Sequence, residues 1–275
     1  MALKLMYITN RPEIAQIAET AGVDRIFVDL EYIGKSERQG GMDTVQSHHT
    51  LDDVKAISDA ITTAELLVRV NPIHDATEEY VSSEEEIGAA IENGADIVML
   101  PFFKTADEVK RFLSAVNGCA KTMLLLETPE AVENLNEILC LDGIDSIHIG
   151  LNDLSLSYGK KFMFELLTDG TVERLCMKIR EKNISYGFGG IASLGQGMVP
   201  AEMIIKEHYR LGSTCAILSR SFCNVNNISH MGVISSTFVN GMREIREFEA
   251  ECDRHIGYFI NNKIELEKTI KTIIV

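Results

Sequence analysis

Two acidic residues stand where an apolar run gives way to a helical pattern. In TMLLLETPEAVENL the run from 122 ends in Glu127, Thr128 and Pro129, and one strand-and-helix unit later DSIHIGLNDLSLS puts Asp153 just beyond a second run. A strand that is apolar on both faces belongs inside a parallel sheet, so the charge that follows it lies where the strand emerges. Neighbouring parallel strands run about 4.8 Å apart, close enough for both carboxylates to converge on one ion. Two carboxylates, with water and substrate oxygens completing the shell, are a usual way of holding Mg²⁺ or Mn²⁺. The plainer alternative is capping: Glu127 in the first turn of the helix opened by Pro129, and Asp153 at the start of a short helix.

A third charge interrupts another apolar run. Arg69 in LLVRVNP needs an anionic partner if it is buried. One reading is a structural ion pair with Asp29 or Glu31 of FVDLE. The other is a planar fork that grips a substrate carboxylate or enolate oxygen beside the metal. A metal and an arginine around one carboxylate-bearing substrate describe stabilisation of a developing enolate. Ser219 and Arg220, at the end of a further run, complete the set of polar residues at run ends.

Eight apolar runs carry these residues: 4–9, 24–31, 65–70, 96–101, 122–127, 145–150, 185–190 and 214–221. Amphipathic stretches lie between them, several opening with Pro or an acid and closing with Gly, as helix-end preferences predict. Eight strands alternating with helices predict an α/β fold, a (β/α)8 TIM barrel, whose active site is built at the strand C-termini. A doubly wound dinucleotide-binding sheet would need a GxGxxG after the first strand, and that motif is missing. Two long connections, 32–50 and 152–170, leave strand C-termini and are expected to border the site. Ile245, Phe248, Cys252, Ile256 and Phe259 recur at helical spacing and predict one long C-terminal helix. The division expected is a barrel over 1–232 and a helical extension over 233–275, packed on its own barrel or on a neighbouring subunit of a homo-oligomer.

A net charge of −15 disfavours nucleic acid and anionic membranes as partners and favours small molecules. No apolar stretch reaches the roughly 20 residues a membrane helix requires, and the first residues lack a signal-peptide pattern, so a cytoplasmic protein is expected. The six cysteines are scattered without metal-ligand spacing and are expected to be reduced thiols.

FVDLE (27–31), LVRVNP (67–72), ADIVMLP (95–101), LLLETPEAVENLNEI (124–138) and IDSIHIGLNDLSLSYG (144–159) together resemble the HpcH/HpaI aldolase and citrate lyase β-subunit family, a branch of the phosphoenolpyruvate/pyruvate-type barrels. The resemblance covers roughly residues 3–225. It implies a divalent-metal-dependent (class II-type) carbon–carbon lyase working through a metal-bound enolate of a 2-oxo acid such as pyruvate or oxaloacetate. It further implies Glu127 and Asp153 as ligands of Mg²⁺ (or Mn²⁺), and Arg69 on the oxo-acid oxygen. The backbone of Gly150, Leu151, Asn152 and Asp153 would receive the substrate carboxylate at a helix N-terminus.

Two positions depart from the aldolase branch. Tyr32 stands where a proton-moving histidine is usual, and Leu125 stands where a glutamine is common. His48 and His49 are the candidates to replace that histidine, the alternative being a solvated surface pair. His148, inside a run, reads as a satisfied core residue. GFGGIASLGQG (187–197) reads as a glycine-rich lid or, with Ser219 to Ser221, as a phosphate cradle. The Tyr32 change leaves room for a citryl- or malyl-thioester lyase or hydrolase. A metal-binding barrel scaffold and a phosphosugar isomerase are the more distant readings.

Overall fold

The computed structural model describes residues 2–34, 48–228 and 230–274. Eight strands, β1 (Lys4–Ile8), β2 (Arg25–Asp29), β3 (Glu65–Arg69), β4 (Ile97–Leu100), β5 (Lys121–Leu126), β6 (Ser146–Ile149), β7 (Ser185–Ile191) and β8 (Cys215–Leu218), pair in sequence order and in parallel, and β8 returns to β1 to close a barrel. Each strand overlaps one of the eight apolar runs, so the (β/α)8 architecture read from periodicity is the architecture found.

The barrel has two hydrophobic layers, because successive residues of a strand face opposite ways. Met6, Phe27, Leu67, Ile97, Met99, Met123, Leu125 and Cys215 fill the interior. Alternate residues, such as Leu5, Val28, Val68, Val98 and Leu124, face the helices outside in a much larger cluster.

The helices after the first four strands are α1 (Pro12–Thr20), α2 (Leu51–Ala60), α3 (Ser83–Glu92) and α4 (Ala106–Val116). Local sequence starts them: Thr50, Ser82 and Thr105 each accept the amide of an acidic residue three positions on, which returns a carboxylate to the cap's own amide. After β5 come α5 (Pro129–Glu133) and α6 (Leu135–Ile138). The long connection after β6 folds into α7 (Leu151–Ser157) and α8 (Glu165–Thr168), then α9 (Thr171–Glu181) leads to β7, and α10 (Ala201–Leu211) joins β7 to β8.

Beyond β8 the structure differs from one long helix. Helix α11 (Met231–Arg254) ends where His255 leaves helical dihedrals, and α12 (Phe259–Ile273) follows after a short turn. Both pack on the chain's own barrel, α11 against α1 and α10, and α12 against α8 and α10. Arg246 bridges Asp24 and Glu249, while Glu249 accepts the Leu3 amide at 2.7 Å, so α11 is bonded to the lip of β1.

Candidate active site

The functional candidates gather at the C-terminal ends of the strands. Asp29 and Arg69 are the last residues of β2 and β3 and are register partners. Parallel pairing therefore sets their side chains next to each other, and Asp29 receives Nε and Nη2 of Arg69 in a fork at 2.8 Å each. Arg69 Nη1 lies 3.2 Å from Glu31, and the guanidinium sits 5.6 Å from the centre of the Phe27 ring. These contacts take three of the five N–H groups of the fork. The ion pair with Asp29 and Glu31 is therefore present, and Arg69 also lines the cavity described below. Burial alone would lower its pKa, but the carboxylates of Asp29 and Glu31 outweigh that and raise it, so the residue is always a cation.

Register also places the two acids. Leu126 pairs with Ile149, so Glu127 and Gly150 leave the sheet side by side. A β-carbon at Gly150 would lie 2.8 Å from both Cβ and Oε2 of Glu127, so only glycine leaves room for this carboxylate. The capping alternative for Glu127 fails, because Thr128 is the cap and its hydroxyl accepts the Ala131 amide. Glu127 Oε1 instead accepts the Phe102 amide at 3.1 Å. Phe102 holds a φ of +49°, a left-handed turn at the end of β4 that L-residues rarely adopt. Asp153 is not a cap either. Gly150 occupies the cap position of α7, and Asp153 in the first helical turn accepts the side-chain amide of Asn152 at 3.1 Å.

Arg69, Glu127, Gly150, Leu151, Asn152 and Asp153 line one cavity of about 270 Å³ in the barrel mouth. Glu127 is 4% and Asp153 8% exposed, so both carboxylates are largely withdrawn from water. Among the described residues, Leu125, His148, Met163, Gly189, Gly190, Ile217 and Ser219 also line it. Leu125 and His148 occupy inward positions that strand alternation marks in the sequence, whereas Met163 reaches the wall from the long connection after β6 and carries no local signal.

His148 is a satisfied core residue, as its place inside a run suggests. Its Nε2–H donates to the Gly189 carbonyl at 3.1 Å, which leaves Nδ1 facing Cys215 Sγ at 3.9 Å. Burial pulls its pKa down to about 4, with Arg25 and Arg69 acting in the same sense, so the ring is neutral.

The strand-2 histidine candidates lie elsewhere. His49 is buried, and its Nδ1 accepts the Asp29 amide at 3.0 Å, so it braces β2 from behind. His48 is exposed and stacks on Tyr32 with ring centres 6.0 Å apart. Neither is among the residues lining the cavity, and residues 35–47 of the connection that carries them lie outside the described residues. The Tyr32 hydroxyl donates to the His49 carbonyl, and burial, followed by the charges of Asp29 and Asp53, raises its pKa. Arg220 is likewise not in the lining, whereas Ser219 is.

The glycines of GFGG serve packing. Gly187, Gly189 and Gly190 lie within β7, and Gly189 and Gly190 form cavity wall rather than a lid over it. A β-carbon at Gly187 would meet the Cys215 carbonyl at 2.2 Å, and one at Gly189 would meet Leu151 at 2.7 Å.

The fold matches solved barrels. An HpcH/HpaI aldolase from Desulfitobacterium hafniense superposes with a TM-score of 0.60 at 16% identity over 89% of this chain and 93% of its own. An HpcH/Hpal aldolase/citrate lyase family protein from Burkholderia cenocepacia gives 0.60 at 15%, over 89% and 94%. In sequence, a 2-keto-3-deoxy-L-rhamnonate aldolase of Escherichia coli is 24% identical over 177 residues, 53% of this chain, and the chain spans only 58% of that relative's length. A 4-hydroxy-4-methyl-2-oxoglutarate aldolase of Chaetomium globosum is 22% identical over 223 residues, 69% of this chain and 75% of the relative. The family model for HpcH/HpaI aldolase/citrate lyase matches residues 4–166, a span that runs from β1 into the start of α8 and holds Arg69, Glu127 and Asp153. With more than half of its length so matched, this chain belongs to the HpcH/HpaI aldolase/citrate lyase family.

Proposed function

We propose that the protein is a divalent-metal-dependent carbon–carbon lyase, an aldolase that cleaves or forms a bond through the enolate of a 2-oxo acid of the pyruvate or oxaloacetate type. The observation that carries this reading is the meeting of Glu127, Asp153 and Arg69 in the lining of one cavity at the C-terminal ends of the barrel strands, both carboxylates being buried. The donor set fits a hard cation: two carboxylates, oxygen ligands only, with the missing β-carbon of Gly150 making space for one of them. Glu127 and Asp153 would hold Mg²⁺ or Mn²⁺, and the bound ion would supply Lewis-acid stabilisation of negative charge on the substrate's oxygens.

The chain's own groups perform the remaining tasks. Asp29 and Glu31 fix the plane of Arg69, whose unused N–H groups hydrogen-bond the oxo oxygen and favour the anion that develops there. The backbone from Gly150 to Asp153 receives the substrate carboxylate beside it. The aldolase names of the relatives support the reaction class. The six free cysteines accord with a cytoplasmic setting, where thiols stay reduced. The test is metal-dependent exchange of pyruvate methyl protons with deuterated water: the expected result is exchange that chelation abolishes and Mg²⁺ or Mn²⁺ restores.

A further inference from the structure

Among the described residues, the charged groups that line the cavity are Arg69, Glu127 and Asp153, and much of the remaining described wall is hydrocarbon. Leu125 lies two residues before Glu127, on the same inward face of β5, and Ile217 approaches from β8 as part of the interior cluster. Leu151 seats against Gly189, and Met163, only partly buried, comes in from the connection after β6. Of the neutral polar side chains in this described wall, Asn152 and His148 each have a partner. Asn152 gives its amide to Asp153, and His148 gives Nε2–H to Gly189 while Nδ1 faces a thiol. Ser219 contributes one hydroxyl.

We infer that this wall is the subsite for the part of the substrate distal to the oxo acid, and that it selects an aliphatic chain over a hydroxylated one. The inference rests on the enolate reading, since that reading fixes which end of the substrate meets Arg69 and the carboxylates. A methyl group laid on Leu151 and Met163 gains apolar contact, whereas a hydroxyl in the same place gives up water for a wall of carbon and sulfur. Hydrophobic pockets discriminate a methyl-sized change by about 10- to 200-fold. The acceptor released or taken up is therefore an aliphatic aldehyde.

Two isosteric pairs, each differing by methyl against hydroxyl, test this. In aldol addition of pyruvate, propanal is compared with glycolaldehyde by kcat/KM. In calorimetric titration of the Mg²⁺-loaded protein, 2-oxohexanoate is compared with 5-hydroxy-2-oxopentanoate by Kd. The expected result is a preference of about tenfold or more for the methyl member in both pairs. Met163→Gln should shrink both preferences by several-fold. Because each preference is a ratio within one protein, a general loss of activity or of folded protein cancels. Equal or reversed preferences in the wild type, or ratios unmoved in Met163→Gln, overturn the inference. Pyruvate proton exchange, measured alongside, separates the two levels: exchange without the preference defeats only the subsite, whereas absence of exchange defeats the enolate reading and the subsite with it.

Discussion

Arg69 illustrates how much one residue's geometry decides. Its fork on Asp29 is a product of strand register, and lysine, a point charge on a flexible stem, cannot reproduce it. Arg69→Lys is therefore expected to lower kcat/KM by about 10²- to 10³-fold while keeping the positive charge. It should also destabilise the fold by about 1–3 kcal/mol, because Asp29 and Glu31 are 1% and 2% exposed and lose hydrogen bonds they cannot recover from water. Steady-state kinetics and urea unfolding of the same variant check both parts, and a near-normal kcat/KM would remove Arg69 from the chemistry. At this scale the charged residues were legible in the sequence, because a charge ending an apolar run has few places to go. Their hydrogen-bond partners were not. The Phe102 amide that binds Glu127 and the His49 ring that braces Asp29 depend on how loops close, and no local pattern encodes that.

Among elements, the pair β5–β6 does most to build the site, through what β6 leaves out. Gly150→Ala would put a β-carbon 2.8 Å from Glu127 Oε2, and the carboxylate must move to relieve the contact. The expected outcome is a 10- to 100-fold weaker Mn²⁺ affinity by calorimetry, the range seen when a metal ligand's support is disturbed. Unchanged affinity would show that Glu127 is not a ligand. All eight strands were legible from apolar runs, and the amphipathic stretches between them marked the helices, whereas the Thr50, Ser82 and Thr105 caps emerged only from the structure. The glycines of β7 were harder to read. Composition cannot tell a glycine that frees a loop from one that lets Cys215 or Leu151 approach a strand; only the packed sheet distinguishes them. The break between α11 and α12 was equally silent, since the apolar spacing continues across it.

At the scale of the whole molecule, the two most deeply buried imidazoles, His148 and His208, tie stability to pH. His208, fully buried, lies parallel to the Phe188 ring with centres 3.9 Å apart and bonds Ser213 through Nδ1 at 2.8 Å. Burial, with His148 nearby, lowers its pKa to about 3, and His148 is lowered to about 4. Unfolding releases both rings to the ordinary histidine range near pH 6.5, where the unfolded chain binds protons that the folded chain refuses. A depressed folded pKa means stability is complete above about pH 6.5 and is lost as pH falls toward 4 and 3. The loss at pH 5 is about 2 kcal/mol per histidine. Urea midpoints should therefore drop between pH 7.5 and pH 5, and His208→Phe, which keeps the ring stack, should reduce the drop by roughly half. An identical drop in the variant would show that His208 is not the source.

The central claim is that Glu127 and Asp153 act together, with a divalent cation, on a 2-oxo acid. Incorporation of deuterium into the pyruvate methyl group, followed by proton NMR in wild type, Glu127→Gln and Asp153→Asn with Mg²⁺ or Mn²⁺ present, tests it most directly. Exchange that chelation stops is expected in the wild type, with a loss of at least about 10²-fold in each variant whose fold is intact by circular dichroism. Exchange that persists in either variant, or that ignores chelation, would contradict it.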